Sequence, residues 1–395
     1  MKRIVLILFS VLAVTGLIYL FLKTYLKIDT RVFLTNLIPP RKDIKQYLPQ
    51  GAELRYPLTI PSGFRIAVFA DLGTGKPRVL ALDPGGTLLT SITNKGKVVA
   101  LPDENRDGKA DKMVDVLTGL NRPHGIAFEG GKLYVAETDK VVSYSYDPAS
   151  FKASYPEILF SLPSGGRHFT RTIKIREGKI YTSVGSSCDT CLEDDSRRAA
   201  ILVSDLDGSN LRVFAKGLRN TVFFVFDKKG QIWGNDMGRD FLGDNLPPDE
   251  LNIISENKDY GWPYCYGNQI RDVKFKIGEK GAYCVDTQSP VFNYPAHVAP
   301  LGLAFINSSL FSPNEQGDLL VAYHGSWNRS EPVGYKIVKL TVFADSVGQA
   351  EDFISGWLTD GEVLGRPVDL LFDQQGALYI SDDKAGLIYY LTRGL

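Results

Sequence analysis

Residues 165–195 read GGRHFTRTIKIREGKIYTSVGSSCDTCLEDD and combine a histidine, a strand–turn–strand unit and a Cys-x-x-Cys loop. Apolar residues alternate with polar ones on both sides of Glu177-Gly178, which predicts two short strands joined by a turn at these two residues. His168 stands just before the first strand, where its side chain can point into a cavity instead of a sheet. We therefore expect the rest of the chain to build a cup around this histidine.

The same layout of turn, apolar strand, Gly turn and second apolar strand recurs along the chain. Repeats at a spacing of roughly forty residues or more indicate propeller blades, which pack radially about a central channel. The sequence therefore predicts an all-β fold, a six-bladed β-propeller over residues 61–395. A β-sandwich whose hairpins resemble one another by chance is the alternative. The six copies begin at Lys76 (KPRVLALDPGGTLLTSI), Arg122 (RPHGIAFEGGKLYVAET), Arg167 (RHFTRTIKIREGKIYTSVG), Leu218 (LRNTVFFVFDKKGQIWGND), Ala299 (APLGLAF) and Arg366 (RPVDLLFDQQGALYISDD).

The N-terminal segment lies outside this pattern. An apolar run from Ile4 to Leu22 follows Met1-Lys2-Arg3, and its length is close to the ~20 residues that cross a bilayer. No small-residue cleavage site follows, which favours an uncleaved signal anchor, a transmembrane helix within residues 1–28, over a cleaved signal peptide. Residues 29–60 then form a tether, and the propeller is expected to be extracytoplasmic, periplasmic or at the cell surface.

Charge and cysteine content narrow the function classes. Lys plus Arg equals Asp plus Glu at 45 each, which argues against nucleic acid as a partner because its binders need a basic surface. An even number of cysteines behind a targeting segment favours disulfides, Cys188–Cys191 and Cys265–Cys284. A zinc site is the alternative, although a single Cys-x-x-Cys does not supply the usual ligand spacing.

Histidines and arginines gather near the ends of the predicted strands. Because the first strand of each blade lines the central channel, we expect these side chains to converge there. Clustered cations in a desolvated place need partners, so they either pair with carboxylates of the protein or bind an anionic ligand. The residues are His124, His168, His297, His324, Arg122, Arg167, Arg171, Arg219 and Arg366.

Residues 103–111, DENRDGKAD, match the first nine positions of a calcium-binding loop. Oxygen ligands at alternate positions and a Gly in the turn are what such a loop needs. Val114 occupies the position of the usual bidentate acid, so we expect a weak structural calcium site, with a metal-free turn as the alternative. The candidate ligands are Asp103, Asn105, Asp107 and Asp111.

A set of ordered motifs links the chain to a known family. RPHGIAF, HFTRTI, SVGSSCDTC, GLRN, DELN, YGWP, HGSWNR and GRPVD resemble the sorbosone-dehydrogenase-like branch of the PQQ-dependent sugar dehydrogenases, which is related to the soluble quinoprotein glucose dehydrogenases. The resemblance runs from about residue 60 to the end of the chain. It implies a six-bladed propeller that uses PQQ, a fused o-quinone with three carboxylates, together with calcium.

The resemblance also implies roles for individual residues. His168 is the base that takes the hydroxyl proton at the anomeric carbon of the sugar, hydride passes to PQQ, and calcium polarises a quinone carbonyl. The implied PQQ contacts are Arg219, Asn220 and Arg366, with His124 in the channel and with His324, Trp327 or Arg329 replacing a lysine of the glucose enzymes. The implied calcium ligands are the carbonyls of Gly238 and Arg239 and, at a second site, Glu250 and the carbonyl of Tyr260.

The sequence therefore predicts a quinoprotein oxidoreductase that acts on an aldose or aldehyde-type sugar. Its electrons pass to a membrane quinone or a soluble carrier. A calcium-dependent propeller lactonase is an alternative, but it needs carboxylates in the channel, where the sequence offers mainly Arg and His. A non-catalytic propeller that binds a partner or a glycan is the third possibility.

Overall fold

The structure is a computed structural model that describes residues 2–29, 58–276, 284–344 and 346–394. Of residues 2–12 it describes only the backbone. Helix α1 covers Lys2–Thr24, and strand β1 covers Phe64–Asp71. The predicted tether falls almost entirely outside the described residues and stays a prediction.

The described part of the propeller contains six four-stranded antiparallel sheets, which are the predicted blades. The first five follow one another along the chain, and each runs from the centre outwards. Blade 1 comprises β2 Pro77–Leu82, β3 Leu88–Ile92, β4 Lys97–Leu101 and β5 Val114–Leu117; blade 2, β6 Ile126–Glu129, β7 Lys132–Ala136, β8 Lys140–Asp147 and β9 Lys152–Ser161; blade 3, β10 Ile173–Arg176, β11 Lys179–Val184, β12 Ala200–Asp205 and β13 Arg212–Lys216. Blade 4 comprises β14 Thr221–Phe226, β15 Ile232–Asp236, β16 Asp249–Ile254 and, after the small hairpin β17 Cys265–Tyr266 and β18 Ile270–Arg271, strand β19 Phe292–Tyr294. Blade 5 comprises β20 Pro300–Phe305, β21 Leu319–Tyr323, β22 Lys336–Phe343 and β23 Ser346–Ile354.

Blade 6 joins the two ends of the propeller. After the hairpin β24 Leu358–Thr359 and β25 Glu362–Val363, it contains β26 Pro367–Phe372, β27 Leu378–Asp382 and β28 Leu387–Arg393. Its outer strand is β1, which pairs with β28 from Phe64 opposite Arg393 to Asp71 opposite Leu387. An N-terminal strand thus completes the last blade and closes the ring.

Glycine in or directly before the inner strands lets neighbouring blades approach closely. A Cβ on Gly125, in RPHGIAF, would lie 2.5 Å from the Ile173 nitrogen, and one on Gly302, in APLGLAF, 2.5 Å from the Val368 carbonyl oxygen. The repeated Gly of these two motifs therefore meets a packing requirement. The inner strands also supply the large central apolar cluster, which includes Val79, Ile126, Val222, Leu301 and Val368.

Both predicted disulfides are present, Cys188–Cys191 and Cys265–Cys284. The alternative of a zinc site is wrong for these cysteines, because all four are in disulfides and none has a thiolate to bind the metal. The second bridge fastens the long insertion between β16 and β19. This insertion folds back towards the ends of β14 and β15, where Arg239 forms an ion pair with Asp272 at 2.9 Å.

In the part of the chain whose side chains the structure describes, no helix is both long enough and apolar enough to cross a membrane. The transmembrane anchor therefore stays a prediction.

Candidate active site

A cavity of about 690 Å³ opens at the centre of the propeller. It lies on the face where the first strand of each blade begins and the second strand ends, and we call this the cavity face. The sequence-predicted residues His168, Asn220, His324, Trp327 and Arg366 line it together. Sequence analysis missed Lys76, Arg78 and Asp383, which also line it. A signal for Asp383 was available, since it directly follows the second strand of its blade, as His324 does.

His168 is held by neutral groups on one side of its ring. Its Nδ1 atom lies 3.0 Å from the Ser186 carbonyl oxygen and 2.9 Å from Ser186 Oγ. A carbonyl oxygen only accepts hydrogen bonds, and the Ser186 hydroxyl donates to the Cys188 carbonyl at 2.7 Å, so Nδ1 carries the proton and donates. The lone pair of the neutral ring is therefore on Nε2, which has no hydrogen-bond partner among the described residues.

The surroundings of His168 keep its ring neutral. Burial lowers the pKa of His168 to about 3, and the positive charges of Arg219 and Arg167 add to the effect. The buried Arg171 donates to the His168 carbonyl oxygen at 3.0 Å and to the Pro163 carbonyl oxygen at 2.8 Å, which fixes the backbone. The site therefore presents a neutral imidazole with a free lone pair, which is the form in which a histidine accepts a proton.

His324 faces the cavity from blade 5 with a different set of partners. Its Nε2 lies 2.9 Å from Asp383 Oδ1, and Arg78 donates to the other oxygen of this carboxylate at 2.7 Å. These two groups hold the pKa of Asp383 far below its usual value. Burial, aided by the positive charge of Arg366, lowers the pKa of His324 to about 4. The neutral His324 ring must donate its Nε2 proton to the carboxylate, so this nitrogen has no lone pair for the cavity.

Three cations of the cavity lack a carboxylate partner among the described residues. The guanidinium of Arg366 donates to the carbonyl oxygens of His324 and Gly325 and lies 5.3 Å from the centre of the Tyr335 ring. The guanidinium of Arg122 lies 4.9 Å from the centre of the Phe169 ring, and the third cation is Lys76. Unbalanced positive charge in a semi-enclosed site favours a ligand with several negative charges.

Arg219, predicted to contact PQQ, lies behind the wall of this cavity. Its guanidinium donates to Asp189 Oδ1 at 2.7 Å and to the Asp189 carbonyl oxygen at 2.9 Å. Arg167 reaches the same cluster and forms an ion pair with Asp240 at 2.6 Å. Asp189 belongs to the Cys188–Cys191 loop, so this disulfide-bonded loop is anchored to blade 4 beside His168.

A second cavity, of about 20 Å³, adjoins Arg219 and brings together the residues predicted for calcium, namely Gly238, Arg239, Glu250 and Tyr260. The buried Asp236 also lines it. Burial raises the pKa of Asp236 to about 6, and burial together with the charge of Asp236 raises the pKa of Glu250 to about 8. This volume holds about one water-sized ion, and a cation would stabilise both carboxylates in their charged forms.

Two residues predicted to contact the cofactor, His124 and Arg329, line neither cavity. His124 is fully buried beneath the main cavity, 3.1 Å from Thr172 Oγ1, and its Nε2 has no partner among the described residues. Arg329 lies on the rim of the cavity face and donates to the carbonyl oxygens of Asp244 and Ala296.

The predicted calcium loop lies between β4 and β5 on the face opposite the cavity. Its carboxylates bind the loop itself, with Asp103 accepting from the Asp107 and Gly108 N–H groups at 3.1 and 3.0 Å. Asn105 accepts from Asp107 N–H at 3.0 Å, and Asp111 accepts from Glu104 N–H at 2.7 Å. Among the described residues, the one close cluster of three His, Cys, Asp or Glu ligand atoms is Cys188, Cys191 and Glu193, and its cysteines are disulfide-bonded.

The family model described as TrAA12-like matches residues 58–394. The chain belongs to this family. A protein of Borreliella burgdorferi, described as uncharacterized, is 30% identical over 387 residues, which cover 93% of this chain and 97% of that protein. The pyrroloquinoline quinone-dependent pyranose dehydrogenase of Coprinopsis cinerea is 26% identical over 412 residues, which cover 87% of this chain but 56% of that protein.

Solved structures of the family have the same fold. The holo form of the pyranose dehydrogenase PQQ domain from Coprinopsis cinerea aligns with a TM-score of 0.74 and 25% identity, covering 88% of this chain and 99% of that one. The calcium structure of the Trichoderma reesei family AA12 enzyme aligns with a TM-score of 0.74 and 20% identity, covering 85% of this chain and 97% of that one. The predicted six-bladed propeller and the resemblance to PQQ-dependent sugar dehydrogenases are thus confirmed, and the sorbosone-dehydrogenase-like branch stays a prediction.

Proposed function

We propose that this protein is a PQQ- and calcium-dependent oxidoreductase that removes a hydride and a proton from the anomeric carbon and hydroxyl of an aldose or aldehyde-type sugar. The observation that supports this most strongly is the free Nε2 lone pair of neutral His168 at the wall of a cation-lined cavity. The proposal is also supported by the relatives of this chain, which include a pyrroloquinoline quinone-dependent pyranose dehydrogenase.

The cavity fits an anionic cofactor with several carboxylates. Lys76, Arg122 and Arg366 have no carboxylate partner in the described part of the chain, and their three positive charges match the three carboxylates of PQQ. Arg366 is the best placed of the three, because its backbone carbonyl partners fix the guanidinium in one orientation. When bound, PQQ supplies the two-electron acceptor that no side chain provides.

His168 takes the hydroxyl proton at Nε2 while Nδ1–H stays bonded to Ser186. The proton bound at Nε2 makes the ring an imidazolium, and the Ser186 carbonyl oxygen stabilises this charge through Nδ1–H. Arg171 holds the carbonyl oxygen of His168 and so fixes its backbone, while the two Ser186 oxygen atoms orient the ring. Asn220 and Trp327 line the same wall and are available to orient the sugar and the cofactor.

The small cavity beside Arg219 fits a calcium ion. Glu250 and the carbonyl oxygens at Tyr260, Gly238 and Arg239 are hard oxygen donors of the type that calcium prefers. The buried Glu250 already accepts from the Gly267 N–H at 2.6 Å and so is fixed in place. Calcium bound here would offset the cost of burying the Glu250 and Asp236 charges.

A propeller lactonase is less well supported. Among the described residues that line the main cavity, Asp383 is the one carboxylate, and it is paired with Arg78 and His324. A site that holds a metal through carboxylates in the channel needs several such groups.

The experiment that tests the proposal is a titration of the purified full-length protein with PQQ in the presence of calcium, followed by a dye-linked assay on a panel of aldoses. We expect PQQ to bind and to support sugar oxidation. Arg366→Gln should weaken PQQ binding by at least tenfold, about 1.4 kcal/mol, whereas Arg176→Gln, at a turn on the opposite face, should not. Absence of PQQ binding, or turnover of lactones without PQQ, would contradict the proposal.

We further propose that α1 anchors the propeller to a membrane on its extracytoplasmic side. This rests on the apolar run from Ile4 to Leu22 and on the two disulfides, which persist in oxidising compartments. The electron acceptor is then a membrane quinone or a soluble carrier.

A further inference from the structure

The chain that leaves α1 is fastened to the rim of the active-site cavity. The Asp29 N–H donates to the Arg329 carbonyl oxygen at 3.0 Å, and Ile28 is buried. The amide of Asn328, oriented to satisfy both neighbours, donates to the Leu26 carbonyl oxygen and accepts from the Phe241 N–H, each at 2.7 Å. The helix therefore ends beside the cavity, in the same loops that carry Trp327.

Most of the described side chains of α1 are apolar and exposed. Between residues 13 and 24 the helix exposes a series of large apolar residues, each close to half or more of its surface. Such a surface is unfavourable in water and matches the interior of a bilayer. The residues are Val14, Leu17, Ile18, Tyr19, Leu20 and Phe21.

The propeller carries exposed apolar side chains next to the point where this helix ends. Phe241 contacts Trp327 edge-to-face at 5.6 Å between ring centres and still exposes 45% of its surface. The loops after β11 and β15 and the blade 4 insertion expose six large apolar residues, and we call this group the apolar rim. They are Leu192, Phe241, Leu246, Ile270, Val273 and Val285.

The apolar rim occupies one sector of the cavity face, formed by blades 3 and 4. The sector formed by blades 1 and 2 is polar instead, since Lys76, Asn94 and Arg122 line the cavity there and are exposed. A sugar can therefore enter the cavity from the polar sector even when another surface covers the apolar rim.

We infer that the apolar rim lies on the surface of a lipid bilayer, so that the cavity opens at the membrane interface and its polar sector stays in water. The exposed apolar surface of α1 continues into the apolar rim, because the two meet at Leu26, Phe241 and Asn328. Lys23 and Lys27 stand at this junction, where basic side chains interact with lipid headgroups. The inference rests on the proposed anchoring by α1, and it favours a lipid-soluble quinone over a soluble protein as electron acceptor.

The test uses single added cysteines, because all four native cysteines are in disulfides and offer no free thiol. Full-length Val273→Cys and Leu246→Cys, on the apolar rim, are labelled with the fluorophore NBD and reconstituted into vesicles of phosphatidylcholine and phosphatidylglycerol. Met113→Cys and Phe343→Cys are matched controls on the opposite face with similarly exposed side chains. Lipids carrying a doxyl quencher in the upper acyl chain report contact with the bilayer.

We expect the doxyl lipids to quench the labels at positions 273 and 246 at least twofold more than those at positions 113 and 343. Equal, weak quenching at all four positions in vesicle-bound protein would overturn the inference. A blue shift at positions 273 and 246 without lipid quenching would mean that a second copy of the chain covers the rim, and it would overturn the inference too. Protein that does not stay with the vesicles would refute the anchor. None of these readouts requires PQQ or sugar, so sugar oxidation is tested separately.

Discussion

Two histidines face the same cavity from different blades, and burial makes both rings neutral. His168, on blade 3, binds a carbonyl and a hydroxyl oxygen through Nδ1. His324, on blade 5, donates Nε2–H to Asp383, a carboxylate that Arg78 also holds. Position in the channel therefore does not decide the role of a histidine. The ring nitrogen that is engaged decides it, because a ring that donates through Nδ1 leaves its Nε2 lone pair for a substrate, whereas His324 uses Nε2 to donate to Asp383.

Replacing each imidazole ring in turn should have the largest effect on turnover. We expect His168→Gln to lower kcat by about a thousandfold, since general base catalysis contributes roughly 10²–10⁴. We expect PQQ affinity to change less than tenfold, because the cations are unaltered. His324→Gln should keep at least a tenth of wild-type kcat, as should His297→Gln, a control whose Nε2 binds the Gly243 carbonyl oxygen away from the cavity. Steady-state dye-linked kinetics at saturating PQQ and calcium measure both. Equal losses in His168→Gln and His324→Gln would refute the distinction.

The carboxylate that sets His324 apart can be neutralised with little change in shape. Asp383→Asn leaves Arg78 without its charged partner in a buried place, so we expect the cofactor-free protein to lose roughly 3 kcal/mol of its free energy of unfolding. PQQ affinity should stay the same or rise, because the cavity gains net positive charge. Thermal unfolding with and without PQQ measures both effects. Lys97 pairs with Asp115 on the exposed edge of blade 1, and Asp115→Asn is the control, with an expected change below about 1 kcal/mol.

The hydroxyl that orients His168 provides a finer test. Ser186→Ala removes one of the two oxygen atoms near Nδ1 but keeps the Ser186 carbonyl oxygen. We expect kcat to fall about tenfold, or 1.4 kcal/mol, with KM nearly unchanged, since the ring is less firmly oriented. Ser204→Ala, in β12 of the same blade, is the matched control. An unchanged kcat in Ser186→Ala would show that the backbone contact alone fixes the ring.

The pH dependence of stability should reveal what the two histidines share. The pKa of folded His168 is about 3 and that of His324 about 4, whereas an unfolded histidine has a pKa of about 6.5. Between these values the two rings bind more protons in the unfolded chain, so their contribution to stability is fully present above pH 6.5 and falls as the pH drops. Each ring contributes up to about 1.4 kcal/mol per pH unit in this window. We expect either His→Gln variant to unfold at a temperature less sensitive to acid between pH 6.5 and 4.5. An unchanged sensitivity would show that the rings are not protected from protonation.

The calcium loop on the opposite face should matter least. Asp107→Asn alters a loop whose oxygens already accept its own N–H groups, so we expect turnover and calcium dependence to change less than twofold. Glu250→Gln, at the small cavity, should instead weaken the response of turnover to added calcium by at least tenfold. Calcium titration of chelator-treated enzyme compares the two variants. A larger effect of Asp107→Asn would place the functional calcium in the loop.

The sequence predicted what depends on local pattern. Alternating apolar residues and Gly turns define the blades, and Gly125 and Gly302 repeat because inner strands pack closely. The closing strand β1 carries no such repeat signal, because FRIAVFAD forms half of no local hairpin and pairs with β28 across the whole chain. Its position follows only from long-range pairing.

Contacts between residues far apart in the sequence were also the part of the active site that could not be predicted. His168 was predictable because its motif is contiguous. The partners that distinguish it from His324 were not, since Asp383 lies 59 residues from His324 in the sequence and Ser186 lies in the loop after β11, 18 residues from His168. For Arg219 the sequence motif predicts a contact with the cofactor, but in the structure Asp189 holds its guanidinium behind the wall of the main cavity. Whether it reaches PQQ stays a prediction.

The most direct test of the central assignment is a rapid-mixing measurement of the first half-reaction. Wild-type protein and His168→Gln, each loaded with PQQ and calcium, are mixed anaerobically with an oxidisable aldose while the absorbance of the cofactor is followed. We predict rapid reduction of the cofactor in the wild type and a rate about a thousandfold lower in His168→Gln, with His324→Gln close to the wild type. Cofactor reduction at the wild-type rate in His168→Gln would contradict the assignment of His168 as the base.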